Sequence, residues 1–296
     1  MIHEIAPHKL NNEFKVCDPK PTDFVIRYNG SKTLLKKVSA EQGTATYAIP
    51  RVGDLLALEG KKLEDFEGHY LFSIDDTAFF LDDSPESKAG AESSDATIPE
   101  GYEFMGNRTF RGMNPVERMG GATAVHIAHW ESLNKFCGRC GNVTIRGDHE
   151  RSIICPKCGN VVYPRISPVV IVAVRNGDKL LMAHNIDNPN PRLFLISGFV
   201  EIGESLEQAV YREVMEEAGL RVKNVRYFGS QPWPFSDSLI AGFTAELDGD
   251  DTIHMQQEEL SEAMWVKRED IPEYETDVGI SCCLIENFRR GFTINN

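Results

Sequence analysis

Three glutamates, Glu213, Glu216 and Glu217, recur at i, i+3 and i+4 within one segment of the chain. On a helix that spacing gathers them on one side. A charge run usually forms a solvated face, but rotation at about 100° per residue argues otherwise here. Glu213 and Glu217 share the stripe of Leu206 and Val210, which is expected to pack inward. Carboxylates crowded on a half-buried stripe repel one another and lose hydration unless a cation neutralises them. Oxygen-rich sets of this kind suit Mg²⁺ or Mn²⁺. Arg212, beside them, can take a bidentate carboxylate pair and hold the cluster's orientation.

A second constellation is Cys137-x2-Cys140-x14-Cys155-x2-Cys158. Two close pairs offer four thiolates to one tetrahedral zinc and leave no open position, so the site is expected to be structural. Gly141 and Gly159 permit tight turns after each pair, while Arg139 and Lys157 offset the thiolate charge. Disulfides are the alternative. The odd total of seven cysteines argues against them, as does a start, Met1-Ile2-His3-Glu4-Ile5, that lacks a secretory pattern.

These residues need elements to hold them. Ser205-Leu206-Glu207-Gln208 is a capping box, and the helix it opens should run to Ala218 and stop at Gly219. Strands are expected at Pro168–Val174, Lys179–Ala183, Leu193–Ile196, Leu239–Glu246 and Ala263–Val266, with a helix over Ile280–Arg290. That alternation indicates an α/β domain with mixed strands. Gln231-Pro232-Trp233-Pro234-Phe235 reads as a stiff extended loop, since two prolines suit no strand interior. Before residue 130 the signals are weaker. Short strands are expected at Phe24–Tyr28 and Tyr70–Ile74, a polar loop at Asp82–Glu100 and a helix over Ala122–Asn134.

The 296 residues carry 31 basic against 45 acidic side chains, a net charge of −14. That balance opposes wrapping a long phosphate backbone, though a bound metal can supply positive charge for a small anionic ligand. No apolar run reaches the length of a membrane span, and the expected setting is the cytoplasm.

Gly198-x5-Glu204-x7-Arg212-Glu213-Val214-x-Glu216-Glu217-x-Gly219-Leu220 resembles the full signature of the Nudix hydrolase family. The array Ser230-Gln231-Pro232-Trp233-Pro234-Phe235-Ser236-Asp237-Ser238 resembles the mark of its NADH pyrophosphatase branch, with Ser236 where that array usually has proline. A four-cysteine ribbon just before the Nudix domain belongs to the same branch. The resemblance implies an α/β/α sandwich with a mixed sheet over residues 164–296, a zinc ribbon over 135–163 and an N-terminal α+β domain over 1–134.

The resemblance also implies roles. Glu213, Glu216 and Glu217 match the metal ligands of the box, joined by Glu259 (Glu258 is the neighbouring alternative) and by the main-chain oxygen of Ser197, with Arg212 in the catalytic set. Phe199 and Tyr163 match an aromatic pair that stacks a base. Glu150, Gln231 to Ser238, Ser281 and Arg111 match positions that contact substrate. The activity implied is hydrolysis of the pyrophosphate of NADH or NAD⁺ to AMP and nicotinamide mononucleotide, and of the NAD cap of an RNA 5′ end, by a homodimer using Mg²⁺ or Mn²⁺. ADP-ribose or dinucleoside polyphosphates are alternative substrates, and an inactive nucleic-acid-binding protein is the alternative from another class.

Overall fold

The computed structural model describes residues 1–38, 46–85, 98–186, 191–274 and 279–291. It divides into two compact units, His3–Arg165 and Ile166–Asn296, the second including Met1–Ile2.

The first unit holds strands β1 (Leu10–Asn11), β2 (Phe24–Ile26), β3 (Tyr28–Asn29), β4 (Lys32–Val38), β5 (Thr46–Ala48), β6 (Gly68–Ile74), β7 (Thr77–Asp82) and β8 (Tyr102–Gly106). One sheet runs β1-β6-β7-β2; a second runs β3-β4-β5, with β8 also on β4. A helix over Pro115–Leu133 packs Met119, Val125, Ala128 and Trp130 into a core shared with Phe24, Phe72 and Phe79. It begins seven residues before the expected Ala122, because Asn114 caps it and Pro115 opens it. The Asn114 Oδ1 accepts the Glu117 amide at 3.0 Å, and proline at the first helical position forfeits no intrahelical bond. Of the polar stretch expected over 82–100, residues 86–97 lie outside the described residues.

The ribbon contributes β9 (Ile145–Arg146), β10 (Ile153–Ile154) and β11 (Val161–Val162), in the order β11-β10-β9. Ile153 is part of the first unit's core, and Val162 packs against it.

In the second unit, β12 (Ser167–Asn176), β13 (Lys179–Asn185), β14 (Ile196–Phe199), β15 (Val222–Trp233), β16 (Ser238–Leu247) and β17 (Leu260–Lys267) form one mixed sheet. Its order is β15-β16-β12-β13-β17, with β14 on β12; β12 and β16 are parallel and the other pairs antiparallel. Side chains of a strand alternate between faces, and β12 shows what that builds. Val170, Val172 and Val174 join Ala209, Val210 and Val214 of the Leu206–Ala218 helix in one core. Ile171 and Ala173 join Ile280, Leu284 and Ile285 of the Ile280–Arg289 helix in another. The sheet therefore lies between two helices, as an α/β/α sandwich.

Two expectations need correcting here. The strand expected at Leu193–Ile196 instead starts at Ile196 and continues to Phe199, where its pairing with Val169–Val172 lies. Gln231–Trp233 is not a loop but the end of β15. This is an edge strand, and an edge tolerates Pro232 because one row of its amides has no ladder partner to lose.

Candidate active site and zinc cluster

The carboxylate helix is fixed at both ends by its own sequence. The Ser205 Oγ accepts the Gln208 amide at 3.2 Å while the Gln208 side chain accepts the Ser205 amide at 2.8 Å. Gly219 ends it in a left-handed conformation, φ +68°. Its inward stripe carries Glu213 and Glu217, both buried, whereas Glu216 is exposed.

They face a cleft of about 630 Å³, also lined by Ser197, Phe199, Arg212, Trp233, Ser236, Ser238, Gln256 and Glu259. Burial pushes the Glu217 carboxyl up to about 8, reinforced by the charges of Glu213, Glu259 and Glu216. Burial also raises Glu213, against the opposing pull of Arg212. Glu213, Glu216, Glu217 and Glu259, with Glu201 also in the lining, are mutually destabilising alone and complementary to a divalent cation, so the donor set fits one. Of the two neighbouring glutamates, Glu259 is the one that lines the cleft.

Arg212 ties this cluster together. Its Nη1 donates to Glu213 at 2.6 Å and to Glu216 at 3.0 Å, and its Nη2 donates to the Phe199 carbonyl at 2.9 Å. Its Nε and Nη2 grip both oxygens of Glu204, at 2.6 and 2.8 Å. Glu204 in turn accepts the Glu201 amide at 3.0 Å, and the Arg212 hydrogen bonds bring its carboxyl down to about 2. Glu204 is thus the partner that orients the arginine. The role was not read from the sequence, although its place in the motif was the available signal. Gln256, whose side chain lies 3.4 Å from Glu259, had no motif to announce it.

Gly198 is required by close approach. A Cβ there would lie 2.1 Å from the carboxyl carbon of Glu213. Because that carbon ends a flexible side chain, Gly198→Ala should fold and displace the carboxylate. An ångström of misplacement can cost on the order of 10² in rate, so we expect kcat to fall by about that factor with the melting temperature little changed. Unaltered turnover would show that Glu213 needs no fixed position.

Other expected contacts are distributed differently. Gln231 is 0% exposed, and its Oε1 accepts the Ile280 amide at 2.6 Å. Its side chain is therefore a brace between β15 and the N-terminus of the Ile280–Arg289 helix. Pro232, Pro234, Phe235, Asp237 and Ser281 do not line the cleft. The Asp237 carbonyl accepts the Ser167 amide at 2.7 Å, and Phe235 meets Trp233 edge-on at 5.0 Å. Phe199 is 55% exposed. Tyr163, Glu150 and Arg111 belong to the other unit, where the Tyr163 hydroxyl donates to Glu150 at 3.0 Å.

The four cysteine sulfurs lie within 4.8 Å of one another; among the described residues no three of the cleft carboxylates gather as closely. Cys137 and Cys158 are 3.7 Å apart, and Cys140 and Cys155 are 3.5 Å apart. The two knuckles repeat one geometry. The Gly141 and Gly159 amides donate to the carbonyls of Cys137 and Cys155 at 2.8 and 2.9 Å, with φ +72° and +69°. Four thiolates on two matched turns form a closed, structural zinc site.

Residues 165–281 match the NUDIX domain, and residues 132–163 match the NADH pyrophosphatase zinc ribbon domain. Over 148 residues the chain is 45% identical to the NAD-capped RNA hydrolase NudC of Salmonella schwarzengrund (strain CVM19633) and to that of Shigella flexneri. The match covers 50% of this chain and spans 57% of the length of those curated relatives. A solved NUDIX hydrolase from Nitrosomonas europaea is 26% identical, with a TM-score of 0.46, over 53% of this chain and 90% of that one. The chain thus carries a Nudix domain joined directly to an NADH pyrophosphatase zinc ribbon.

Proposed function

We propose that the protein hydrolyses the pyrophosphate of NADH or NAD⁺, releasing AMP and nicotinamide mononucleotide, and acts likewise on the NAD cap of RNA. The observation that carries this reading is one cleft that combines buried carboxylates with the exposed ring of Phe199 and with Trp233. The curated relatives named NAD-capped RNA hydrolase point to the same substrate class.

Glu213, Glu216, Glu217, Glu259 and the Ser197 carbonyl would hold Mg²⁺ or Mn²⁺, which neutralises the diphosphate and activates water when bound. Arg212 keeps Glu213 and Glu216 oriented, and Glu204 keeps Arg212 in place. Phe199 supplies an apolar face for a base, which a diphosphate site needs to tell one terminal group from another. The expected setting is cytoplasmic, where cysteine thiols stay reduced for zinc. The expected assembly is a homodimer, which light scattering of the purified protein would check.

Chromatography of the products from NADH, NAD⁺, ADP-ribose and NAD-capped RNA, with Mg²⁺ or Mn²⁺, tests the activity. AMP and nicotinamide mononucleotide are expected from NADH and NAD⁺; hydrolysis confined to ADP-ribose would contradict the reading. Phe199→Ala should weaken NADH hydrolysis about ten- to 150-fold, the scale of losing one base–aromatic stack. ADP-ribose, which lacks the second base, should suffer less. Equal losses on both substrates in a folded variant would remove Phe199 from base recognition.

A further inference from the structure

The first unit contains a cavity of about 180 Å³, lined in part by Phe14, Lys15, Tyr70, Trp130, Arg151 and Ser152. A cavity that size has room for several waters or one small molecule. Three of its lining residues are more than nine-tenths buried: Tyr70 is 6% exposed, Trp130 3% and Ser152 3%. The Tyr70 hydroxyl, the Trp130 indole N–H and the Ser152 hydroxyl are all buried without a hydrogen-bond partner. Orphaned polar atoms are scarce in folded proteins, and three around one cavity mark a place where something else completes the bonding.

The chemistry of the occupant follows from the donors. An indole N–H can only donate, and both hydroxyls can donate. Arg151, which gives one N–H to the Leu71 carbonyl, has no carboxylate partner among the described residues. Lys15 sits 4.9 Å over the Tyr70 ring and likewise forms no ion pair. The carboxylates at the cavity already accept hydrogen bonds from other side chains. Glu131 accepts from His69 at 3.0 Å and from Arg146 at 2.9 Å, while Glu150 accepts the Tyr163 hydroxyl. What remains unpartnered at the cavity is donor hydrogen, from Tyr70, Trp130 and Ser152, beside the cations of Arg151 and Lys15.

We propose that this cavity is a binding site for a small oxyanion, a carboxylate or a phosphate, held by Arg151 and Lys15 and by the orphaned groups of Tyr70, Trp130 and Ser152. The segment Phe14–Cys17, which has no helix or strand, forms part of the wall. Phe14 and Leu71 leave part of the lining apolar, which suits a carboxylate on a hydrophobic body. The site lies wholly within the first unit and does not depend on the proposed hydrolase activity.

The test uses the full zinc-loaded protein, with inorganic phosphate and benzoate as probes and chloride at equal ionic strength as control. Thermal melting and calorimetric titration should show stabilisation by phosphate, benzoate or both that chloride does not reproduce; the stronger probe identifies the source. Tyr70→Phe, Ser152→Ala and Arg151→Gln should each weaken the apparent Kd at least about tenfold, the scale of a lost charge-assisted bond. Without probe, Tyr70→Phe and Ser152→Ala should melt no lower than the wild type, because deleting an unpartnered buried group removes no bond. Should Arg151→Gln fail to fold, the two hydroxyl variants carry the test. No anion-specific stabilisation, or equal stabilisation of wild type and variants, overturns the proposal. A lower melting temperature of both hydroxyl variants without probe also overturns it, since ordered water would then already satisfy them.

Discussion

Glu217→Gln is expected to lower the rate of NADH hydrolysis by on the order of 10² or more, the scale of removing one preorganised electrostatic group, without unfolding the protein. The substitution keeps volume and removes a charge that burial, Glu213, Glu259 and Glu216 all disfavour. In the metal-free protein that charge is a liability. A carboxyl whose folded pKa is raised to about 8 costs stability as pH climbs above the ordinary carboxylate value, and the amide escapes that cost. Metal-free Glu217→Gln should therefore melt at the same temperature as the wild type or higher near neutral pH. The two measurements belong together: lost turnover with retained or increased stability identifies a group held ready for a cation. Near-normal turnover would remove Glu217 from the metal site, and a marked fall in melting temperature would make it a structural residue.

Cys155→Ser is expected to release zinc and lower the melting temperature by at least about 10 °C, since structural zinc contributes several kcal/mol and each is worth roughly 2–4 °C in a domain of this size. The effect should not stay within the ribbon. Ile153 and Val162 pack into the core shared with Phe72, Phe79 and Trp130. Arg146 of β9 also binds Asp83 at 2.6 and 2.9 Å and Glu131 at 2.9 Å. Burial pushes the Asp83 carboxyl up, but the hydrogen bonds from His69 and Arg146 outweigh it and bring it down to about 2. Loss of the metal should therefore loosen the first unit's core, visible as faster amide exchange in the Pro115–Leu133 helix. Elemental analysis finding no zinc in freshly purified wild-type protein would overturn the assignment.

Much of the site was legible because its signals are local. The capping box at Ser205 and Gln208, the left-handed stop at Gly219 and the i, i+3, i+4 glutamates depend on residues within one or two turns. Helical periodicity alone placed Glu213 and Glu217 on the buried stripe. The cysteine knuckles are equally local, since each is a tight turn closed by its own glycine. Signals of strand and edge were harder to read. Pro232 argued against a strand because the sequence could not say that β15 lies at the sheet's edge, where its missing N–H costs no ladder bond. The early start of the Pro115–Leu133 helix is written in the local signal Asn114-Pro115.

The residue types and spacings by themselves determined which groups could hold metals, the α/β class and the helix that carries the carboxylates. Only the tertiary structure decided which distant residues meet them. Gln231 became a buried brace because β15 runs beside the Ile280–Arg289 helix, and Glu259 rather than Glu258 lines the cleft. The orphaned groups of Tyr70, Trp130 and Ser152 stand far apart in the chain and share a cavity only once folded. The physical reason is common to all of these cases. Spacing along a helix or turn sets geometry over a few ångströms, whereas which polar group is buried, paired or left waiting depends on packing between elements that no local pattern encodes.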